Sequence, residues 1–432
     1  MNPAPAERKP DLTSPELAVR RAALKLITAT MEKGEMLDER ALQHLKGADR
    51  ARAMTLAKQV MRWIGSADQM IDRFANKPPR EDVRMILRLG VVELMVMEEA
   101  AFGVTDSLVT LASAGKHTGL ASGFINAVLR KVATEGGAIW ARMNHARHSA
   151  TDDGWRRMKG DWGKAGGLRI LKAQMQDAPL DLTVKSDPED WAARLGGTVT
   201  PTGSVRLTRP GAVTSLEGFD AGGWWVQDAA AALPARLAGR SGGRALDLCA
   251  APGGKTMQLA HAGWEATALD NSAQRIKRVD ENLKRTGLSA RLVTADALTW
   301  KKQDFDLVLL DAPCSATGTI RRHPELPSIR GEAEIAELVA LQKNLLTAAW
   351  ARVAPGGRLI YCVCSMTKAE GEDQATRFFE TTPDATRIPI EPGELGDPDL
   401  VTPEGDLRTR PDLWPEIGGM DGFFAFRAQR SA

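Results

Sequence analysis

The period of the apolar positions changes twice along the chain. From residue 14 to about 135 it is helical. Ser14-Pro15-Glu16 opens the first stretch, with Ser14 as N-cap and Pro15 at the first helical position. Leu17, Val19, Ala22, Leu24 and Ile27 follow at helical spacing. The run 83–95 predicts a buried helix, ended or bent near Gly90, and 124–132 predicts another. Strand signals are scarce here, so an all-α domain over 14–137 is expected, with Gly136-Gly137 as its exit. Residues 1–13 are polar and Pro-rich and read as a flexible tail.

Between 138 and 235 the pattern becomes mixed. Residues 180–185 alternate like a strand, 187–196 read as a short capped helix, and 204–208 predict a second strand. A small α+β linking segment is expected. Trp140, Trp155 and Trp162 interleave with Arg156, Arg157, Lys159 and Lys164. Such a pattern fits an RNA-facing patch that stacks bases, and equally amphipathic helices with the tryptophans packed inward.

From 236 to 432 short apolar runs at 245–248, 266–269, 291–294, 305–310 and 358–363 alternate with helical stretches. That alternation predicts a parallel, doubly wound α/β sheet. The run 423–427 reads as a late strand pairing antiparallel at an edge.

Composition narrows the function classes. Hydrophobic content of 43% and charged content of 26% describe a globular chain, and no stretch of eighteen apolar residues supplies a membrane span. Net charge is only +2, so nucleic-acid contacts must come from local basic clusters such as Arg321-Arg322. The four cysteines all fall between 249 and 364, which argues against a disulfide framework and for a reducing compartment. A cytoplasmic, monomeric protein is expected. Cys362-Val363-Cys364 lacks the second ligand pair of a zinc site, so no metal is expected.

The predicted sheet places candidate chemistry at its carboxyl edge, where such sheets bind ligands. The first strand runs into Asp247-Leu248-Cys249 and then Gly253-Gly254-Lys255-Thr256. Position 249 is not the glycine of a phosphate-binding Walker loop, and the dinucleotide spacing GxGxxG is absent. A nucleoside ligand without pyrophosphate fits better. Asp270 ends the second strand, where a carboxylate can accept ribose hydroxyls, and Asp296 follows the third, where one can receive an adenine amino group. This set points to S-adenosylmethionine. The fourth strand leads to Asp311-Ala312-Pro313-Cys314 and the fifth to Cys362-Val363-Cys364. Two thiols beside a methyl donor suit methylation of a pyrimidine at carbon 5. A thiolate adds to carbon 6 and makes carbon 5 nucleophilic, and a base then removes the carbon 5 proton. Asp311 can hold N3 or the exocyclic amine of the base. Chemistry alone leaves open which thiol attacks. Cys249 and Cys362 also suit plain core positions.

These segments resemble the RNA cytosine-5 methyltransferases of the Nol1/Nop2/Sun group. The likeness rests on CAAPGGKT at 249–256 and DAPCSATG at 311–318. It extends to FINAVLRK at 124–131, Trp225-Val226-Gln227-Asp228, Arg321-Arg322-His323-Pro324 and Gly422-Phe423-Phe424. The all-α domain looks like the RNA-binding NusB domain of the bacterial small-subunit rRNA branch. The resemblance implies a Rossmann-like methyltransferase sheet and S-adenosylmethionine contacts from Cys249, Ala250, Ala251, Pro252, Gly253, Gly254, Lys255, Asp270, Asp296 and Asp311. It implies Cys364 as nucleophile, Cys314 as the residue assisting release, and small-subunit (16S) rRNA as partner. Val363 departs from the family, which usually has Thr before the nucleophile. Two rival readings are a tRNA cytosine-5 methyltransferase and a non-catalytic RNA-binding assembly factor.

Overall fold

The computed structural model describes residues 14–208, 211–239 and 242–432. The tail read at 1–13 lies outside the described residues. The chain forms two compact units. One ends at Arg156 and also takes in His323–Gly331, and the other consists of Arg157–Arg322 and Glu332–Ala432.

The first unit is helical: α1 (Pro15–Lys33), α2 (Gly47–Phe74), α3 (Glu81–Met95), α4 (Ala101–Ala114), α5 (Ser122–Trp140) and the single turn α6 (His145–His148). Ser14 caps α1 by accepting the Leu17 N–H at 3.3 Å, and Gly34 ends it in the left-handed conformation. Leu26, Val60, Leu87, Leu108 and Leu129 contribute to the shared core. Helix α3 continues through Gly90 rather than stopping there. A Cβ at Gly90 would lie 2.6 Å from Leu129 Cδ2 and 2.8 Å from Leu108 Cδ1, so the glycine serves close helix packing. Gly136-Gly137, read as an exit, lies inside α5. Arg20 of α1 grips buried Glu93 of α3 through Nε at 3.1 and 3.0 Å. Burial nonetheless raises the Glu93 carboxyl above its ordinary value. Removing either partner of such a pair costs about 3–5 kcal/mol.

Helix α7 (Asp152–Gln174) bends at Gly163, where φ is 68°. In the second unit β1 (Leu180–Val184), α8 (Pro188–Leu195), β2 (Thr198–Val199), β3 (Val205–Leu207) and β4 (Trp224–Val226) build a small antiparallel sheet of order β2-β3-β1-β4. Arg206 and Asp181 form a fully buried fork inside it, with Nε–Oδ1 and Nη2–Oδ2 both at 2.7 Å.

The larger sheet uses β5 (Arg244–Leu248), β6 (Glu265–Asp270), β7 (Arg291–Thr294), β8 (Phe305–Asp311) and β9 (Val353–Val363), all parallel. Helices α9 (Ala229–Arg236), α10 (Gly254–His261), α11 (Ala273–Thr286), α13 (Glu332–Trp350) and α14 (Glu372–Thr381) belong to this unit, whereas the short α12 (Leu326–Ile329) belongs to the helical one. Leu307–Leu310 is buried without interruption, as a central parallel strand covered on both faces requires. Strands β10 (Ala385–Arg387) and β12 (Phe424–Arg430) complete the order β10-β12-β9-β8-β5-β6-β7, and β11 (Leu407–Arg408) pairs with β12 off that path. The late strand β12 does pair antiparallel with β9, but it is interior, because β10 lies beyond it. Its apolar sequence reflects that: Phe424, Ala425, Phe426 and Ala428 are all fully buried. Strand order reverses between β5 and β8, which sets the ligand crevice at the ends of those two strands.

Candidate active site

The β5 loop is shaped for close approach. Cys249 has a φ of 61° and Gly253 a φ of 102°, both left-handed, and the Ala251–Pro252 peptide bond is cis. The Ala250 N–H donates to the Leu269 carbonyl at 3.0 Å, tying the loop to β6. Gly254 opens α10 against Gln227, whose Nε2 would lie 3.2 Å from a Cβ there. Gln227 is held in turn by Thr183, Trp225 and Gln258 at 2.9, 2.8 and 2.8 Å. Lys255 is buried and its ammonium meets Asp311 Oδ2 at 2.7 Å. Nearby carboxylates, Asp311 foremost, hold the Lys255 ammonium above its ordinary value against the opposing effect of burial. Asp311 Oδ1 receives the Cys362 thiol at 3.4 Å, so this core cysteine touches the site.

Three further carboxylates serve different ends. Asp247 is fully buried and accepts the Thr256 hydroxyl on Oδ2 at 2.6 Å, while Oδ1 has no hydrogen-bond partner. Burial pushes its carboxyl up to about 7. Asp270 is buried and accepts the Ala251 and Ser272 N–H groups at 3.3 and 3.1 Å. Asp296 is exposed and caps its own turn by accepting the Leu298 N–H at 2.8 Å. A cavity of about 310 Å³ is lined by Ala250, Pro252, Gly254, Lys255 and Asp311, with Gln227 and Asn282 beside them; Asp270 and Asp296 are not on its wall. A left-handed loop and a buried cation on the wall of this cavity fit a nucleoside ligand that carries a carboxylate.

The two thiols meet at the next strand pair. Asp311 stands opposite Cys362 in the β8–β9 register, and the Ala312 N–H donates to the Cys362 carbonyl at 3.0 Å. Beyond these strand ends Cys314 Sγ lies 3.4 Å from Cys364 Sγ. The hydrogen bond to Cys364, burial and the nearby charges of Cys364 and Glu370 hold the Cys314 thiol well above its ordinary value. Cys249 is pushed up to about 12, mainly by burial, which is the reverse of an activated thiol. The Gly318 N–H donates to the Cys364 carbonyl at 3.0 Å, and a Cβ on Gly318 would lie 1.9 Å from the Gly422 carbonyl oxygen. Backbone crossing at that distance explains the glycine that closes the 311–318 segment.

Several neighbours carried no sequence signal of their own. Glu370 is buried beneath both thiol segments and accepts the Ser315 N–H at 2.8 Å and the Ser365 hydroxyl at 2.5 Å. Only an acid six residues after Cys364 hinted at it. Other residues singled out in the sequence turn away from the site's chemistry. Arg321 donates to the Gly418 carbonyl at 2.5 Å, and Arg322 bridges Asp228 and Asp421 at 2.6 and 2.8 Å. This pair therefore braces loops instead of presenting a basic run for an RNA backbone. The three tryptophans are half-buried, and Trp140 alone of them packs against an apolar core. Trp140 packs on Trp63 and His145, with centroids at 5.6 and 4.6 Å, and Trp155 lies 5.7 Å from the Arg147 guanidinium. Trp162 donates Nε1–H to the Met366 carbonyl at 2.9 Å, two residues beyond Cys364.

Comparison with known proteins agrees with this geometry. Residues 234–428 match the family described as 16S rRNA methyltransferase RsmB/F, and residues 17–134 match the NusB family. The chain is 33% identical to ribosomal RNA small subunit methyltransferase B of Erwinia tasmaniensis over 94% of its own length and 97% of that protein's. It is also 33% identical to the protein of the same name from Vibrio vulnificus, covering 94% and 98%. Among solved structures, PH0851 superposes with a TM-score of 0.76 at 22% identity over 95% of this chain and 98% of that one. NSun6 from Pyrococcus horikoshii with SFG gives 0.56 at 18% identity over 65% and 98%. At these identities the two structures speak for the fold.

Proposed function

Because the chain belongs to the ribosomal RNA small subunit methyltransferase B family of S-adenosylmethionine-dependent rRNA methyltransferases, we propose that it methylates carbon 5 of a cytosine in 16S rRNA through a covalent bond between Cys364 and carbon 6. The observation that carries this reading is the pair of thiols 3.4 Å apart beside the β5 loop. Nitrogen and oxygen acceptors are nucleophilic without covalent activation, whereas carbon 5 of a pyrimidine needs a thiol to add at carbon 6 first.

S-adenosylmethionine, when bound, supplies an electrophilic methyl group. The segment 249–255 would cradle it, and Asp270 would receive the ribose hydroxyls. Asp296 would take the adenine edge. Asp311, held by Lys255 at 2.7 Å and Cys362 at 3.4 Å, faces N3 and the exocyclic amine of the base. Cys364 attacks as the thiolate: the S–C6 bond forms and an electron pair moves onto carbon 5. The 3.4 Å contact lets either sulfur donate to the other, so the assignment of Cys364 as the attacking sulfur rests on the resemblance in the sequence around it. Once Cys364 is bonded to carbon 6 it no longer opposes ionisation of Cys314, which gives its own proton to solvent; after transfer the carbon 5 proton passes to the Cys314 sulfur, directly or through a water, the S–C6 bond breaks, and its electrons return to Cys364. The net reaction releases one proton.

The test is nucleoside analysis of 16S rRNA and tRNA from cells with and without the gene, followed by incubation of the unmodified RNA with purified protein. A single 5-methylcytidine absent from 16S rRNA of the deletion strain and restored in vitro is the expected result. Loss confined to tRNA, or to no RNA, overturns the proposal.

A further inference from the structure

Glu370 touches neither reacting thiol, yet both thiol-bearing segments converge on its carboxylate. Oε1 accepts the Ser315 N–H at 2.8 Å and Gln342 Nε2 at 3.0 Å. Oε2 accepts the hydroxyls of Ser315 and Ser365, both at 2.5 Å. Ser315 follows Cys314 and Ser365 follows Cys364, so one side chain bonds the residue after each thiol. Gln342 also donates to the Pro313 carbonyl at 2.9 Å, on the other side of Cys314. Thr317 closes a second ring, with its hydroxyl 3.2 Å from each serine oxygen. Glu370 is itself fixed: it is fully buried, and its carbonyl accepts the Tyr361 hydroxyl at 2.7 Å.

A buried carboxylate is costly to desolvate and persists only with several strong donors. Three of the four donors here come from the two thiol loops, so the acid's hydrogen-bonding capacity is committed to loop spacing. We propose that Glu370 is a positioning residue that ties the Cys314 and Cys364 loops together and sets the separation of the two thiols. The tie itself is a property of the protein alone; its value for turnover rests on the methylation reading above.

The network also says which substitution preserves the tie. In Glu370→Gln the amide oxygen can accept from the Ser315 N–H and Gln342, while the amide N–H₂ can donate to the two serine hydroxyls, which reverse their roles. Every bond has a counterpart and only the charge is lost. Glu370→Ala loses all four.

Two measurements test this. The first uses dibromobimane, a reagent that fluoresces on bridging two close thiols, with peptide mapping to identify the Cys314–Cys364 bridge; it needs neither RNA nor cofactor. Wild type and E370Q should bridge at rates within about 3-fold of each other, and E370A at least about 10-fold more slowly, because a loosened pair loses effective concentration. The second is steady-state methylation of unmodified 16S rRNA. E370A should lose about 100-fold in kcat with KM for S-adenosylmethionine changed less than about 3-fold, and E370Q should recover to within about 5-fold of wild type. If E370A does not fold, Ser365→Ala removes one arm and should still slow bridging. Bridging as fast as wild type in the variant that folds, or E370Q as impaired as E370A, overturns the tie. Bridging as described in a protein that methylates no cytosine supports the tie and defeats the functional reading instead.

Discussion

Cys314 Sγ lies 3.4 Å from Cys364 Sγ although the residues stand on loops after different strands. At that distance one sulfur can donate to the other, and a base bonded to either is within reach of both. The Cys314 thiol is held well above its ordinary value, by the hydrogen bond to Cys364 first and by burial second. Both causes disfavour ionisation of Cys314.

Replacing Cys314 by Ser should separate attack from release. Serine retains a hydrogen-bond donor but is a far weaker proton acceptor at neutral pH. Turnover should fall by about 10²–10⁴-fold while a covalent protein–RNA species accumulates, visible as a shifted band on a denaturing gel. Turnover near wild type without that band contradicts the role given to Cys314.

Val363 stands where the resembling family usually has Thr, and its surroundings give a reason. It is fully buried in the apolar cluster that includes Leu310 and Phe424, and it faces Phe424 across the β9–β12 pair. Val363→Thr would bury a hydroxyl there and should destabilise the protein by about 1–3 kcal/mol in a denaturant titration. Turnover should stay within about 3-fold. A rise of tenfold or more would show that the reaction lacks a hydroxyl contact here.

Asp247 should give the fold an identifiable pH dependence. Burial holds its carboxyl at about 7, against an ordinary value of 3.8. The folded state therefore binds the proton more tightly than the unfolded chain between those values, and stability falls as pH rises through that window and levels off above it. Comparison with Asp247→Asn cancels the other titrating groups. Wild-type stability minus that of D247N should decline by up to ~3 kcal/mol between about pH 5 and about pH 8. A difference that is flat or grows with pH contradicts a buried, incompletely satisfied Asp247.

Much of this arrangement was legible from short-range pattern. Buried runs such as 305–310 give parallel strands, and the turn chemistry of 249–254 marks the ligand loop. Because both cysteine segments follow predicted strands, their approach could be inferred from topology alone. The residues that escaped are those whose role depends on long-range partners. Gly90 looks like a helix breaker until Leu108 and Leu129 are seen packed against it. Arg321-Arg322 looks like a phosphate-binding run until Asp228 and Asp421 are found beneath Arg322. Glu370 is one acid among many in its helix-rich surroundings, and only the folded loops bring Ser315 and Ser365 to it. Strand β12 reads as an edge strand because β10, only Ala385–Arg387, is too short to announce itself.

The covalent route is tested most directly with 16S rRNA transcripts carrying 5-fluorocytosine, incubated with the protein and S-adenosylmethionine. Fluorine at carbon 5 cannot leave as a proton does, so an attacking sulfur stays bonded to carbon 6. The expected result is a denaturation-resistant, one-to-one adduct mapped by peptide sequencing to Cys364 and absent from Cys364→Ala. No adduct with wild type, or an adduct retained by Cys364→Ala, contradicts attack by Cys364.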